Sequence, residues 1–179
     1  GDLWVGGAEG LYRLQNAHWQ RITLGDVERD YVSAMVESDQ GDLWVAAGAL
    51  GLVHLRDGQR KTYDYDSGLN FWPIHALWLD ADSHLWMSGD EGIARVRLRD
   101  LDHWQTEGRA DLPIEHFDRR AGLLDGETNG WGYPALARLP DSRVILPSRR
   151  GLAVVDPDQV SSPSLLPANL YIRAAWAGT

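Results

Sequence analysis

The sequence predicts an all-β fold: a partial β-propeller of four-stranded antiparallel blades, roughly three and a half of them, followed by one C-terminal strand. Three observations carry that expectation. A motif recurs along the chain, as GDLWV at 1–5, GDLWV at 41–45, SHLWM at 83–87 and, degraded, SRVIL at 142–146. A Gly-Leu or Gly-Ile pair follows each copy, at Gly10-Leu11, Gly51-Leu52, Gly92-Ile93 and Gly151-Leu152. An alanine stands ten residues before three of them, Ala34 before Trp44, Ala76 before Trp86 and Ala135 before Ile145. The units fall near residues 1–30, 31–73, 74–132 and 133–160, so residues 1–160 form the propeller part.

The second unit shows why each element is expected. Tyr31–Glu37 reads as strand A, and 38–41 as a tight turn of Ser, Asp, Gln and Gly. Asp42–Ala46 reads as strand B, 47–50 as a loop, and Gly51–Arg56 as strand C. Asp57-Gly58 is a hairpin-turn pair and Lys61–Tyr65 reads as strand D. Strand B is the informative one. Leu43-Trp44-Val45 and Leu85-Trp86-Met87 are continuous apolar runs, which a strand covered on both faces needs. A sandwich with one wet face would alternate instead. Between Gly92 and Gly151 the step lengthens to 59 residues. Two insertions account for the excess, one between Gly92 and Phe117 and one between Leu123 and Ala135. Arg99–Trp104, inside the first, is the one place where a short helix is expected.

The fourth unit has strand C at Gly151–Asp156 and no clear strand D. Residues 161–179 begin with Ser161-Ser162-Pro163-Ser164, a linker composition, and Asn169–Trp176 reads as one more strand. The chain opens on a strand B with no signal peptide before it, so it is expected to be a piece of a longer protein whose end blades are covered by other parts.

Composition narrows the function classes. The chain has 179 residues, 44% hydrophobic and 24% charged, which suits a packed globular domain. A net charge of −9 argues against nucleic acid or an anionic membrane as partner. No apolar run approaches the ~20 residues of a membrane span, so membrane attachment is expected only through other parts of the protein. With no Cys there is no thiolate metal site and no thiol nucleophile. The six His are scattered singly at 18, 54, 75, 84, 103 and 116, without metal-ligand spacing, and no cofactor or metal is expected. Asp80-Ala81-Asp82-Ser83-His84 lacks the glycine of a calcium loop and reads as a turn.

The stretches DQGDLWVAAGALGL at 39–52 and DADSHLWMSGDEGI at 80–93 resemble the repeat of the two-component regulator propeller family. YDYDSGLNFWPIHAL at 63–77 is similar to its inter-blade loop. GIARVRLRDLDHWQTEG at 92–108, FDRRAGLLDGETNG at 117–130 and RGLAVVDPDQV at 150–160 resemble its closing blade. Pro163 to Thr179 resembles the first strand of the Ig-like domain that follows. Two departures are His84, read as standing at the turn's glycine position, and Arg143-Val144-Ile145 in place of Leu-Trp. The resemblance implies a sensor module, periplasmic or otherwise extracytoplasmic, from a membrane-bound bacterial signalling protein with a kinase or cyclase output and a homodimeric full-length form.

A ligand is expected on the face that carries the B–C and D–A loops, around the central channel. Candidate residues there are Asn70, Trp72, His75, Asp90, Glu91, Glu127, Asn129, Trp131, Arg149 and Arg150. Rings beside amides and paired charges suit a small polar ligand, an oligosaccharide among them. Each residue also has a structural reading. Trp72 and Trp131 can plug the channel, the charges can be solvated loop tips, and His75 can be a satisfied strand residue. The module is read as non-catalytic. Two alternatives stand beside it: a propeller lyase or glycosidase using carboxylates such as Asp90 and Glu127, and a dimerisation scaffold with no pocket.

Overall fold

The computed structural model describes residues 2–25, 30–104, 112–123, 125–130, 132 and 134–160. The expected strand of 169–176 and Trp131 lie outside the described residues. The fold is all-β, in four antiparallel sheets. The first has β1 (Leu3–Gly7), β2 (Gly10–Gln15) and β3 (His18–Ile22). The second has β4 (Val32–Glu37), β5 (Leu43–Ala47), β6 (Gly51–Arg56) and β7 (Gln59–Tyr63). The third has β8 (Ile74–Leu79), β9 (His84–Gly89), β10 (Gly92–Arg97) and, after helix α1 (Leu98–His103), β11 (Glu115–Phe117). The fourth has β12 (Ala137–Arg138), β13 (Val144–Ser148) and β14 (Gly151–Val155). Within every sheet the strands run in chain order. Among the described residues no helix is long and apolar enough to cross a membrane.

The two apolar strands are covered on both faces. Every residue of β5 and of β9 is buried. Alternate residues go to opposite neighbours, as a period of two requires. Leu43, Val45 and Ala47 join the core shared with the first blade, while Trp44 and Ala46 join the core shared with the third. The rule repeats one blade on, with Leu85 and Met87 facing back and Trp86 facing the fourth blade. Trp44 and Trp86 are each 1% exposed. In the first blade Trp4 packs against the core shared with the second, and Leu3 and Val5 on its opposite face are exposed. Ile145 takes the tryptophan position of the fourth blade.

A cation or imidazole covers each of these rings. The cross-strand partners of Trp4, Trp44 and Trp86 are Arg13, His54 and Arg95. Arg13 sits 5.2 Å over the Trp4 ring and Arg95 sits 5.1 Å over Trp86. His54 stacks on Trp44 at 3.9 Å with planes 3° apart. Each has a carboxylate beside it: Asp2 for Arg13, Asp42 at 3.5 Å for His54, and Glu115 at 2.6 Å for Arg95. Attraction of positive charge to the ring face is worth about 0.5–2 kcal/mol per pair. Burial pulls the His54 imidazole below its ordinary pKa, against the opposing pull of Asp42.

The Gly-Leu marker has a backbone cause. Gly10, Gly51, Gly92 and Gly151 have φ of 107°, 80°, 102° and 143°, a region that side chains avoid. Each opens strand C straight out of the B–C turn. The other turn marker corrects one expectation. The left-handed position equivalent to Gly41 (φ 83°) is Ser83 (φ 61°), not His84, which stands level with Asp42. Strand D of the second blade also shifts. It ends at Tyr63 rather than Tyr65, because Asp64 opens a turn: its carboxylate accepts bonds from the Ser67 amide at 2.9 Å and hydroxyl at 2.8 Å. In the fourth blade strand A is only two residues long. The register Ala137↔Ile145 puts Ala135 level with Pro147, which has no N–H to give a ladder.

Helix α1 starts one residue earlier than expected and seals the edge between the second and third blades. Leu101 is fully buried there, and its carbonyl accepts bonds from the Tyr63 hydroxyl at 2.9 Å and Lys61 Nζ at 3.0 Å. Burial pushes the Tyr63 phenol well above its ordinary value and draws Lys61 below its own.

Candidate functional site

Antiparallel order puts the B–C turns and the D–A loops at one end of the sheets. The loop of residues 64–73 descends there into β8. Trp72 donates its indole N–H to the Gly48 carbonyl at 2.8 Å, across the neighbouring B–C turn. The ring is thereby held in one orientation although 58% of the residue is exposed. Thr128 and Asn129, ahead of the fourth blade, are stitched between two blades. The Thr128 amide and hydroxyl both donate to the Gly89 carbonyl at 3.0 Å, and the Asn129 amide donates to the Pro147 carbonyl at 2.8 Å. Thr128 also forms a bridge with Ser148.

These links build a cleft of about 540 Å³ at the channel mouth. Its walls include Tyr31, Ser33, Trp72, His75, Asp90 and Glu127. Each nitrogen of the His75 ring faces an oxygen. Nδ1 lies 3.0 Å from the Thr128 carbonyl and Nε2 lies 3.2 Å from Asp90 Oδ1. The backbone of Gly130 packs against that ring. A Cβ there would lie 2.4 Å from His75 Cγ, so only glycine lets the loop close over it. Glu127 is joined to Arg149 at 3.2 Å, at the rim. The cleft thus offers one flat indole, one imidazole–carboxylate pair, a second carboxylate with its arginine, and the hydroxyl-bearing side chains of Tyr31 and Ser33.

The expected residues do not form one site. Trp72, His75, Asp90 and Glu127 line this cleft, with Arg149 reaching it through Glu127. Asn70 and Glu91 line a second groove of about 580 Å³ on the other side of Trp72. Asn129 is exposed and contributes its backbone to the stitching described above. Arg150 is exposed at its turn and lines neither cleft. Sequence reasoning missed Tyr31 and Ser33, which sit at the start of β4 and face the channel mouth; the D–A connection before them was the available signal. It also missed Tyr65, assigned to a strand that ends two residues earlier. Among the described residues no group of three or more His, Asp or Glu could hold a metal ion.

The comparisons bear on the fold. No family model and no curated protein matches the chain. Solved structures do match. The extracellular domain of the hybrid two-component system protein BT3049 from B. thetaiotaomicron superposes with a TM-score of 0.66 at 17% identity, over 88% of this chain and 20% of that one. The extracellular domain of BT4673 from the same organism gives 0.65 at 18%, over 95% and 24%. Virginiamycin B lyase from Staphylococcus aureus gives 0.60 at 15%, over 88% and 50%. The chain therefore has the fold of a run of propeller blades, and spans about a fifth to a quarter of the length of the two-component proteins it matches. Those are proteins of the kind whose repeat the sequence motifs resemble.

Proposed function

We propose that the chain is part of the extracytoplasmic sensor propeller of a membrane-bound bacterial signalling protein, and that it binds a small polyhydroxylated ligand, such as an oligosaccharide, in the channel-mouth cleft without catalysing a reaction. The observation that carries this reading is the pinned, exposed Trp72 ring beside the His75–Asp90 pair. A flat indole accepts the apolar face of a sugar ring, and paired donors and acceptors beside it meet the hydroxyls. An aromatic ring fixed at the wall of a cleft, with polar groups converging beside it, is the lining that small-molecule sites use. The similarity to extracellular domains of two-component proteins favours the sensor setting, and the dimer expected of the full protein belongs to the same proposal.

A lyase reading starts from the same His75–Asp90 pair, with Glu127 nearby. It is the weaker one, because both ring nitrogens of His75 are turned toward oxygens of the protein itself, the Thr128 carbonyl and Asp90, rather than toward the open cleft where a substrate would lie. Titration calorimetry against a panel of neutral and acidic oligosaccharides tests both. Binding that weakens in Trp72→Ala and Asp90→Asn, with the sugar recovered intact, is the expected result. No heat with any sugar overturns the ligand proposal, and cleaved sugar overturns the non-catalytic one.

A further inference from the structure

The second groove differs in chemistry from the channel mouth. It is bounded by Asp64, Tyr65, Asn70, Phe71, Trp72 and Glu91, and among the described residues no Lys, Arg or His lines it. Tyr65 is 80% exposed and Trp72 58% exposed, while Phe71 is buried at 1% beneath them. Neither exposed ring is loose. Tyr65 rides on a closed turn in which the Gly68 amide donates to the Tyr65 carbonyl at 3.0 Å and the Leu69 amide to the Asp64 backbone carbonyl at 2.9 Å. Trp72 is held by its bond to Gly48.

The two carboxylates have capacity to spare. Asp64 spends only Oδ1 on the Ser67 amide and hydroxyl. Glu91 has no hydrogen bond or ion pair among the described residues. Rings with negative faces, flanked by uncompensated carboxylates, attract a positively charged organic group and repel an anion. A neutral sugar would use the rings but gain nothing from the charges.

We propose that the groove between Tyr65 and Trp72 is a second binding site, specific for an alkylammonium or guanidinium group. The ring faces take the cation's apolar shell, and Asp64 and Glu91 balance its charge. The site goes beyond the channel-mouth reading and stands whether or not a sugar binds there, since the two share only the Trp72 wall and the Gly51 backbone.

Choline and its neutral isostere 3,3-dimethylbutan-1-ol are the probes. The readout is the indole ¹H–¹⁵N cross-peak of Trp72, assigned by its loss in Trp72→Phe. Choline is expected to move that peak and saturate in the millimolar range, with the isostere at least about fivefold weaker. Tyr65→Ala and Glu91→Gln, both at exposed positions, each weaken choline roughly three- to tenfold, and added salt weakens it further. Equal response to both probes, unchanged affinity in Tyr65→Ala, or a peak that does not move at about 50 mM choline would overturn the proposal.

Discussion

The second and third blades differ at one buried hydrogen bond, and the difference can be measured. In the third blade the Asp80 carboxylate, 6% exposed, accepts the Trp86 indole N–H at 2.7 Å. It also accepts the backbone amides of Asp82 and His84, both at 2.9 Å, and lies 3.1 Å from His84 Nδ1. In the second blade Ser38 holds the same position. Its hydroxyl takes the amides of Gln40 at 3.3 Å and Asp42 at 3.2 Å, and the Trp44 indole N–H is buried with no hydrogen-bond partner among the described residues. Asp80→Ser therefore converts the third blade's turn into the second's. The backbone contacts survive in weakened form, but a charge-assisted bond is lost and a buried indole N–H is orphaned. The first is worth about 1.5–3 kcal/mol and the second costs about 1–3 kcal/mol. Because the two overlap, a net loss of about 2–4 kcal/mol is expected, or roughly 5–12 °C in melting temperature for a chain of this size. Ser38→Ala, which removes only the weak turn bonds, is expected to cost about 1 kcal/mol. Urea denaturation followed by circular dichroism measures both, and the Trp86 indole proton should move upfield in Asp80→Ser. If Asp80→Ser costs no more than Ser38→Ala, the carboxylate–indole bond is not what secures the third blade.

Three other expectations follow from the same geometry. The β2–β3 turn places Asn16 and Ala17 at φ of 52° and 62°, where the β6–β7 turn has Asp57 and Gly58, so Ala17→Gly should stabilise the first blade by about 0.5–1 kcal/mol in the same urea assay. His54 has its folded pKa lowered by burial, so the unfolded chain takes up its proton first. Its contribution to stability is complete above the unfolded value of about 6.5 and declines as pH falls through the folded value. Unfolding free energies at pH 7.5 and 5.0 should differ less in His54→Gln than in the natural chain, and an equal difference would refute it. Gly130→Ala drives a methyl into the His75 ring, so it should separate His75 from Asp90 and weaken any channel-mouth ligand by about tenfold. Calorimetry checks that, and unchanged binding with a shifted His75 resonance would remove His75 from the site.

The blades were legible in the sequence because their causes are local and repeat. Strand B must be apolar on both faces wherever a sheet is sandwiched, and so Leu-Trp-Val and Leu-Trp-Met announce themselves. The glycine that opens each strand C marks a left-handed backbone angle that recurs four times. The alternation that sends Trp44 forward and Val45 back needs only a period of two. The partner of each tryptophan was available too, at Arg13, His54 and Arg95, but its role needed the strand register to be known. The site was far less legible. Asp90 and Glu91 are adjacent in the chain, yet one enters the channel-mouth cleft and the other the groove beyond Trp72. That division is made by bonds between residues distant in sequence, Trp72 to Gly48, His75 to Thr128 and Thr128 to Gly89. Short-range patterning sets which segments become strands, because the backbone repeats its demands every two residues. Which loop side chains meet depends on how blades dock and how inserted loops are tied across them, and no local periodicity encodes that.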